Sequence, residues 1–144
     1  MAETRQMYPG VPPASTAVLA ESLTGLFPQM LWGRTDGVAG GVDSRTGGTP
    51  IVNVISRVTS VAGGVGVTLG GANAKIPIGG GGWVICNVSG STLHVYPPGA
   101  SDVIDGFGGG ASVSLSSPKT AFFLPVNNSA GVLTIVSMSG VPSS

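Results

Sequence analysis

The chain has 144 residues, of which only 8% are charged, against about 25% in ordinary soluble domains. Six Lys+Arg cancel six Asp+Glu, so there is no basic field to gather nucleic acid. Mean hydropathy is +0.42, yet Gly, Asn, Ser and Pro break every apolar stretch well short of the roughly 20 residues that a membrane helix needs.

The opening segment Met1–Met7 carries Glu3 and Arg5 and lacks the apolar run of a secretory signal, which implies synthesis and assembly in a cytoplasm. Residues 1–48 are predicted to form an N-terminal arm, because several charges (Glu3, Arg5, Glu21, Arg34, Asp36) and four of the 11 prolines fall there. Within it Val18, Leu19, Leu23 and Leu26 stand at helical spacing, with Ser15 as a helix-starting residue and Gly25 as a stop signal. A helix that short needs a partner surface to hold it. The Phe27-Pro-Gln-Met-Leu-Trp32 stretch that follows has no regular period. Phe27, Leu31 and Trp32 are therefore the candidate interface anchors, since large apolar and aromatic groups entering pockets dominate most interfaces.

From Thr49 onward, short β-branched runs alternate with Gly, Asn, Ser and Pro. Strands are expected at residues 51–58, 65–69, 74–78, 83–88, 92–96, 102–104, 112–115, 120–126 and 132–137. This pattern predicts an all-β domain over residues 49–140, followed by a short tail at 141–144. The expected architecture is a jelly-roll-like sandwich or small barrel of about eight short antiparallel strands. Many of the 25 glycines cluster in turns such as Gly79–Gly82. No period of 20 to 50 residues emerges, so a solenoid is not expected.

Residues with chemical potential are few. His94 is the single histidine, and alternation places it opposite Leu93 and Val95, facing outward. Cys86 is the single cysteine and lies in the apolar run Trp83–Val88, which suits a small structural hydrophobe. Asp102 and Asp105 stand close in sequence, but two carboxylates fall short of a calcium site. A hydrolase pair of carboxylates would have to rest on the same two residues. Asn87-Val-Ser89 and Asn127-Asn-Ser129 match the glycosylation pattern and read better as strand-end and turn residues. We therefore expect no enzyme, no catalytic or metal-binding residues and no cofactor.

One combination of residues carries a resemblance. It runs Asn87-Val-Ser-Gly-Ser-Thr-Leu-His-Val-Tyr-Pro-Pro-Gly-Ala-Ser-Asp-Val-Ile-Asp-Gly106, then Ala111–Leu115 and Lys119–Leu124. Over residues 50 to 138 it resembles a β-rich domain of tailed-bacteriophage virion proteins, whose pattern includes Val-Tyr-Pro-x-x-Gly and an Ile-Asp-Gly turn. That resemblance implies an oligomeric virion part, either a capsid cement or decoration protein or a fibre or spike component. The leading expectation is a cement protein on the capsid exterior, with the major capsid protein as partner, assembled in the host cytoplasm. The alternative is a fibre or spike that binds a host receptor or glycan. Low surface charge further predicts self-association, as a homotrimer with a dimer as the alternative.

Overall fold

A computed structural model describes residues 33–75 and 81–140 of the chain. The expected helix between Ser15 and Gly25 lies outside these residues, as does most of the strand expected at 74–78. Ten strands are described: β1 (Arg34–Ala39), β2 (Thr49–Ile51), β3 (Ile55–Ser60), β4 (Gly66–Leu69), β5 (Trp83–Asn87), β6 (Leu93–Tyr96), β7 (Val103–Ile104), β8 (Val113–Leu115), β9 (Lys119–Ser129) and β10 (Val132–Gly140). The described residues form no helix. The strands make a six-stranded sheet in the order β1-β3-β5-β9-β10-β7 and a four-stranded sheet in the order β2-β4-β6-β8. The all-β expectation holds.

The pairing corrects the expected antiparallel jelly roll. Through β6 the chain crosses from one sheet to the other at every connection, so each strand lies parallel to the one laid down a turn earlier. β1 pairs parallel with β3 and β3 with β5, while β2 pairs parallel with β4 and β4 with β6. The result is a short solenoid of three turns, which the sequence reading had set aside. Only then does the chain fold back: β8 runs antiparallel to β6, β9 to β5, and β10 to β9, while β7 joins β10 in parallel. No repeat marks the turns because they differ in length. In the six-stranded sheet Arg34 faces Ile55 and Ile55 faces Val84, steps of 21 and 29 residues.

Alternation along the strands explains what is buried. Trp83, Ile85 and Asn87 of β5 point inward while Val84 and Cys86 lie half-buried on the other face. On β6, Leu93 and Val95 point inward and His94 and Tyr96 outward. The inward sets of the two sheets make one core, which includes Val58, Ile85, Phe123 and Ile135 from the larger sheet and Ile51, Val67, Leu69, Val95 and Leu115 from the smaller. Each such side chain contributes about 1.5–3 kcal/mol on leaving water.

β1 lies N-terminal to Thr49, where the β domain was expected to begin. It looks unlike a strand in sequence because Arg34, Asp36 and Gly37 interrupt it. As an edge strand it keeps those charges in solvent: Asp36 pairs with Arg34 at 3.3 Å and with Arg57 of β3 at 2.9 Å. The single strand expected at 51–58 is divided between β2 and β3, because the chain changes sheets there and leaves Val52 71% exposed.

After β1, residues 40–48 form a strap against the smaller sheet. Gly41 and Gly66 exchange backbone hydrogen bonds of 2.8 and 2.9 Å. The backbones meet so closely that a Cβ on Gly64 would overlap the Gly41 carbonyl, and one on Gly66 the Val42 carbonyl. Only glycine fits these two positions.

The β9–β10 hairpin turns through Ala130 and Gly131, both with positive φ (53° and 78°), as a type I′ turn requires. Ala130 has a Cβ where glycine would be unstrained. Ala130→Gly is expected to raise stability by about 1 kcal/mol and Ala130→Val to lower it, as read by thermal and urea unfolding. Equal midpoints for the two variants would contradict the turn.

Candidate functional site

The candidate anchors Phe27, Leu31 and Trp32 lie outside the described residues. The other polar residues singled out from sequence are placed, and most of them hold backbone.

Asn87, the last residue of β5, is fully buried. Its amide donates to the carbonyls of Ser91 and Leu115, each at 2.7 Å, and its carbonyl accepts from the Ser89 amide and hydroxyl at 3.0 and 2.7 Å. All of its hydrogen-bonding groups are used, so this residue pins the β5–β6 turn to β8 and has no exposed amide to offer a glycosylating enzyme.

Asp102 and Asp105 do not converge on a common ligand. Asp102 is buried, with one oxygen accepting from the Leu133 amide at 2.8 Å and the other from the Gly99 amide at 2.6 Å. Asp105 accepts from the Ser137 amide at 2.7 Å and from the Ser137 hydroxyl. Both carboxylates thus tie the chain between β6 and β8 to β10. Among the described residues no three His, Cys, Asp or Glu side chains gather as metal ligands.

Sequence reading missed the acid that meets His94. Asp43, 51 residues away in the strap, comes within 2.7 Å of His94 Nδ1. The Tyr96 hydroxyl donates to the same Asp43 oxygen at 2.8 Å. These bonds, that from His94 foremost and then that from Tyr96, hold the Asp43 carboxyl below its ordinary value. Burial first, and the Asp43 carboxylate second, push the Tyr96 phenol up. Beside this cluster Arg45 donates to the Pro98 carbonyl at 2.6 Å and to Asn73 at 3.2 Å, while the Thr68 hydroxyl donates to the Arg45 carbonyl at 2.7 Å. The outward positions of β4 and β6 therefore form a latch that closes the strap onto the smaller sheet.

A second polar feature follows from unequal sheet width. The larger sheet is two strands wider, and beside β8 a groove of about 460 Å³ remains, bounded by residues 112–116, Phe123, Ser137, Ser139, Lys119, Asp105 and Phe107. The inward row of β10 changes from Leu133 and Ile135 to Ser137 and Ser139 where it reaches this groove.

No protein-family model, no curated protein and no solved structure matches this chain. The reading of function therefore rests on residues and geometry.

The latch sets a pH dependence. Because the folded Asp43 carboxyl is depressed below its ordinary value of 3.8, its contribution is present above that value and is lost as pH falls through the lower folded value. Half-exposed groups are screened, so the contribution stays below about 1 kcal/mol. Asp43→Asn is expected to lower stability at pH 6 and to flatten the loss of stability between about pH 4 and pH 2. Chemical unfolding followed across that range checks this. Parallel curves for the variant and the parent chain would contradict it.

Proposed function

We propose that this chain is a structural virion protein that binds and stabilises a bacteriophage capsid shell from outside, as a cement or decoration protein. On this reading the segment bearing Phe27, Leu31 and Trp32 enters pockets on neighbouring copies of the major capsid protein, and the β domain adds apolar surface. The chain would self-associate as a homotrimer, or else as a dimer, and would carry no catalytic activity.

Support comes first from the motif residues: Asn87 and Asp105 hold backbone at a strand end and a turn, which is a structural use rather than a catalytic one. The observation that carries the reading is apolar exposure on a weakly charged surface. Val42 and Val52, 62% and 71% exposed, flank β2, an edge strand laid down in the first turn of the solenoid. Together with β1, which ends the order of the larger sheet among the described strands, they give the first turn edge backbone and apolar side chains, which suit lateral attachment to another protein.

The fold decides where a test must cut. A deletion reaching residue 46 would remove β1 and part of the latch, so the informative truncation removes residues 1–32. The shortened chain is expected to keep its melting temperature within a few degrees, because it retains all ten described strands and the core residues from Val38 to Ile135. Its occupancy on purified particles should fall by about tenfold or more, as loss of a buried aromatic anchor implies. Trp32→Ala should act in the same direction. Full occupancy by the truncated chain, retained through salt and heat challenge, would overturn the arm's role. Failure of the intact chain to co-purify with particles would overturn the cement reading itself.

A further inference from the structure

The outer face of the six-stranded sheet is apolar where an outer face is ordinarily polar. A sheet with one solvated side alternates apolar and polar residues, whereas a strand covered on both sides reads as a near-continuous apolar run. β5 reads Trp83-Val-Ile-Cys86 and β9 contains Ala121-Phe-Phe-Leu-Pro-Val126. The ladder gathers their outward side chains. Ile55, Val84, Phe122 and Met138 stand side by side in one row across four strands, and Leu124 lies beside Val136 in the next.

The smaller sheet treats its outer face differently. There His94 and Tyr96 point outward and bond Asp43 of the strap. Over the larger sheet the described strands form no third layer, and Met138 is left 58% exposed. None of the six outward residues carries a charge. Arg57, bonded to Asp36 at 2.9 Å, stands apart from Phe122 and Met138, at the β1–β3 margin of the face.

These facts select the partner. An uncharged face neither attracts a charged partner nor repels its own copy. An apolar row is also complementary to itself, as a two-fold interface demands, since one patch must serve both sides. The strand order then places the axis. With a two-fold along β9, β9 of each copy lies over the other's β9, and β5 lies over β10. Phe122 meets its own counterpart, and Val84 meets Met138. β3 falls over the two-residue β7 at the rim and β1 beyond it, so the Arg57–Asp36 pair keeps its water and incurs no desolvation cost. The same axis aligns the strands of the two faces, as stacked sheets prefer. Four strands about 4.8 Å apart and about 20 Å long present roughly 400 Å² of flat sheet per copy. That is the low end for a specific interface, so association is reversible and of about micromolar strength.

We propose that two copies of this chain pack the outer faces of their larger sheets together as a two-fold dimer. The proposal rests on the self-association already inferred and gives it a surface and a symmetry. It is independent of capsid attachment through the first turn and the segment bearing Phe27, Leu31 and Trp32.

Sedimentation equilibrium of the full chain from about 1 to 200 μM, a range that brackets a micromolar dissociation constant, tests it. The parent chain is expected to show a monomer–dimer equilibrium, with a melting temperature that rises with concentration as mass action requires. Met138→Arg should raise the dissociation constant about tenfold or more and leave the β-type circular dichroism unchanged. Phe107→Arg, at an equally exposed position (58%) beside the groove between the sheets, should keep the dimer. Val84→Glu should dissociate it, and an equimolar mixture of Val84→Glu and Met138→Arg chains should recover it, because the axis sets position 84 of one copy against position 138 of the other. A parent chain that stays monomeric overturns both the proposal and the self-association behind it. A trimer, an oligomer that Met138→Arg leaves unchanged, or a mixture that does not re-associate overturns the two-fold face alone. So does a Met138→Arg chain that still dimerises but loses occupancy on purified particles, since the face then belongs to the capsid contact.

Discussion

The inward rows of the two sheets are apolar, and among the described residues each row is buried against the other. The chain meets that constraint as it is laid down, crossing between sheets at each connection from β1 to β6, so that every turn adds one strand to both layers and extends the core between them. Parallel pairing follows, because a strand that returns to its own sheet after visiting the other arrives in the direction in which it left. The closing hairpin of β9 and β10 then supplies antiparallel partners and covers the last turn, with Phe123 directly across from Trp83.

Polar side chains hold this winding together at the places where the backbone leaves the ladders. Asn87 answers two carbonyls and one amide at the β5–β6 turn. Asp102 answers the amides of Gly99 and Leu133, and Asp105 that of Ser137. Removing any one partner would leave buried or half-buried groups unmade, at about 1–3 kcal/mol each. Such roles explain why residues that look like a glycosylation acceptor, a cation site or a carboxylate pair in sequence are committed to structure instead. The strap adds a backbone version of the same principle, in which glycines let two chain segments approach to hydrogen-bonding distance and Asp43 latches them through His94 and Tyr96.

Much of the fold could be read from the residues alone. β4, β5, β6, β7 and β8 fall close to their expected positions, because apolar and polar residues alternate there and turn residues bound each run. Pairing direction could not be read, since alternation is the same in a parallel strand as in an antiparallel one, and the unequal turns conceal the winding. β1 was hidden by Arg34, Asp36 and Gly37, which an edge strand tolerates. The Asp43–His94 meeting spans 51 residues and depends on the strap, so no local pattern announces it.

Parallel winding makes one close approach that a single substitution can report. Arg57 of β3 lies directly beside Cys86 of β5 in the ladder, on the outward, half-exposed face. In Arg57→Cys the two cysteines would fall within the Cα separation that a disulfide accepts, about 4.4–6.8 Å. Mild oxidation is expected to join them within one chain, read as a non-reduced monomer lacking free thiols, with the β-type circular dichroism unchanged. If both thiols remain free, or cross-link only between chains, β3 and β5 are not neighbours and the winding described here is wrong.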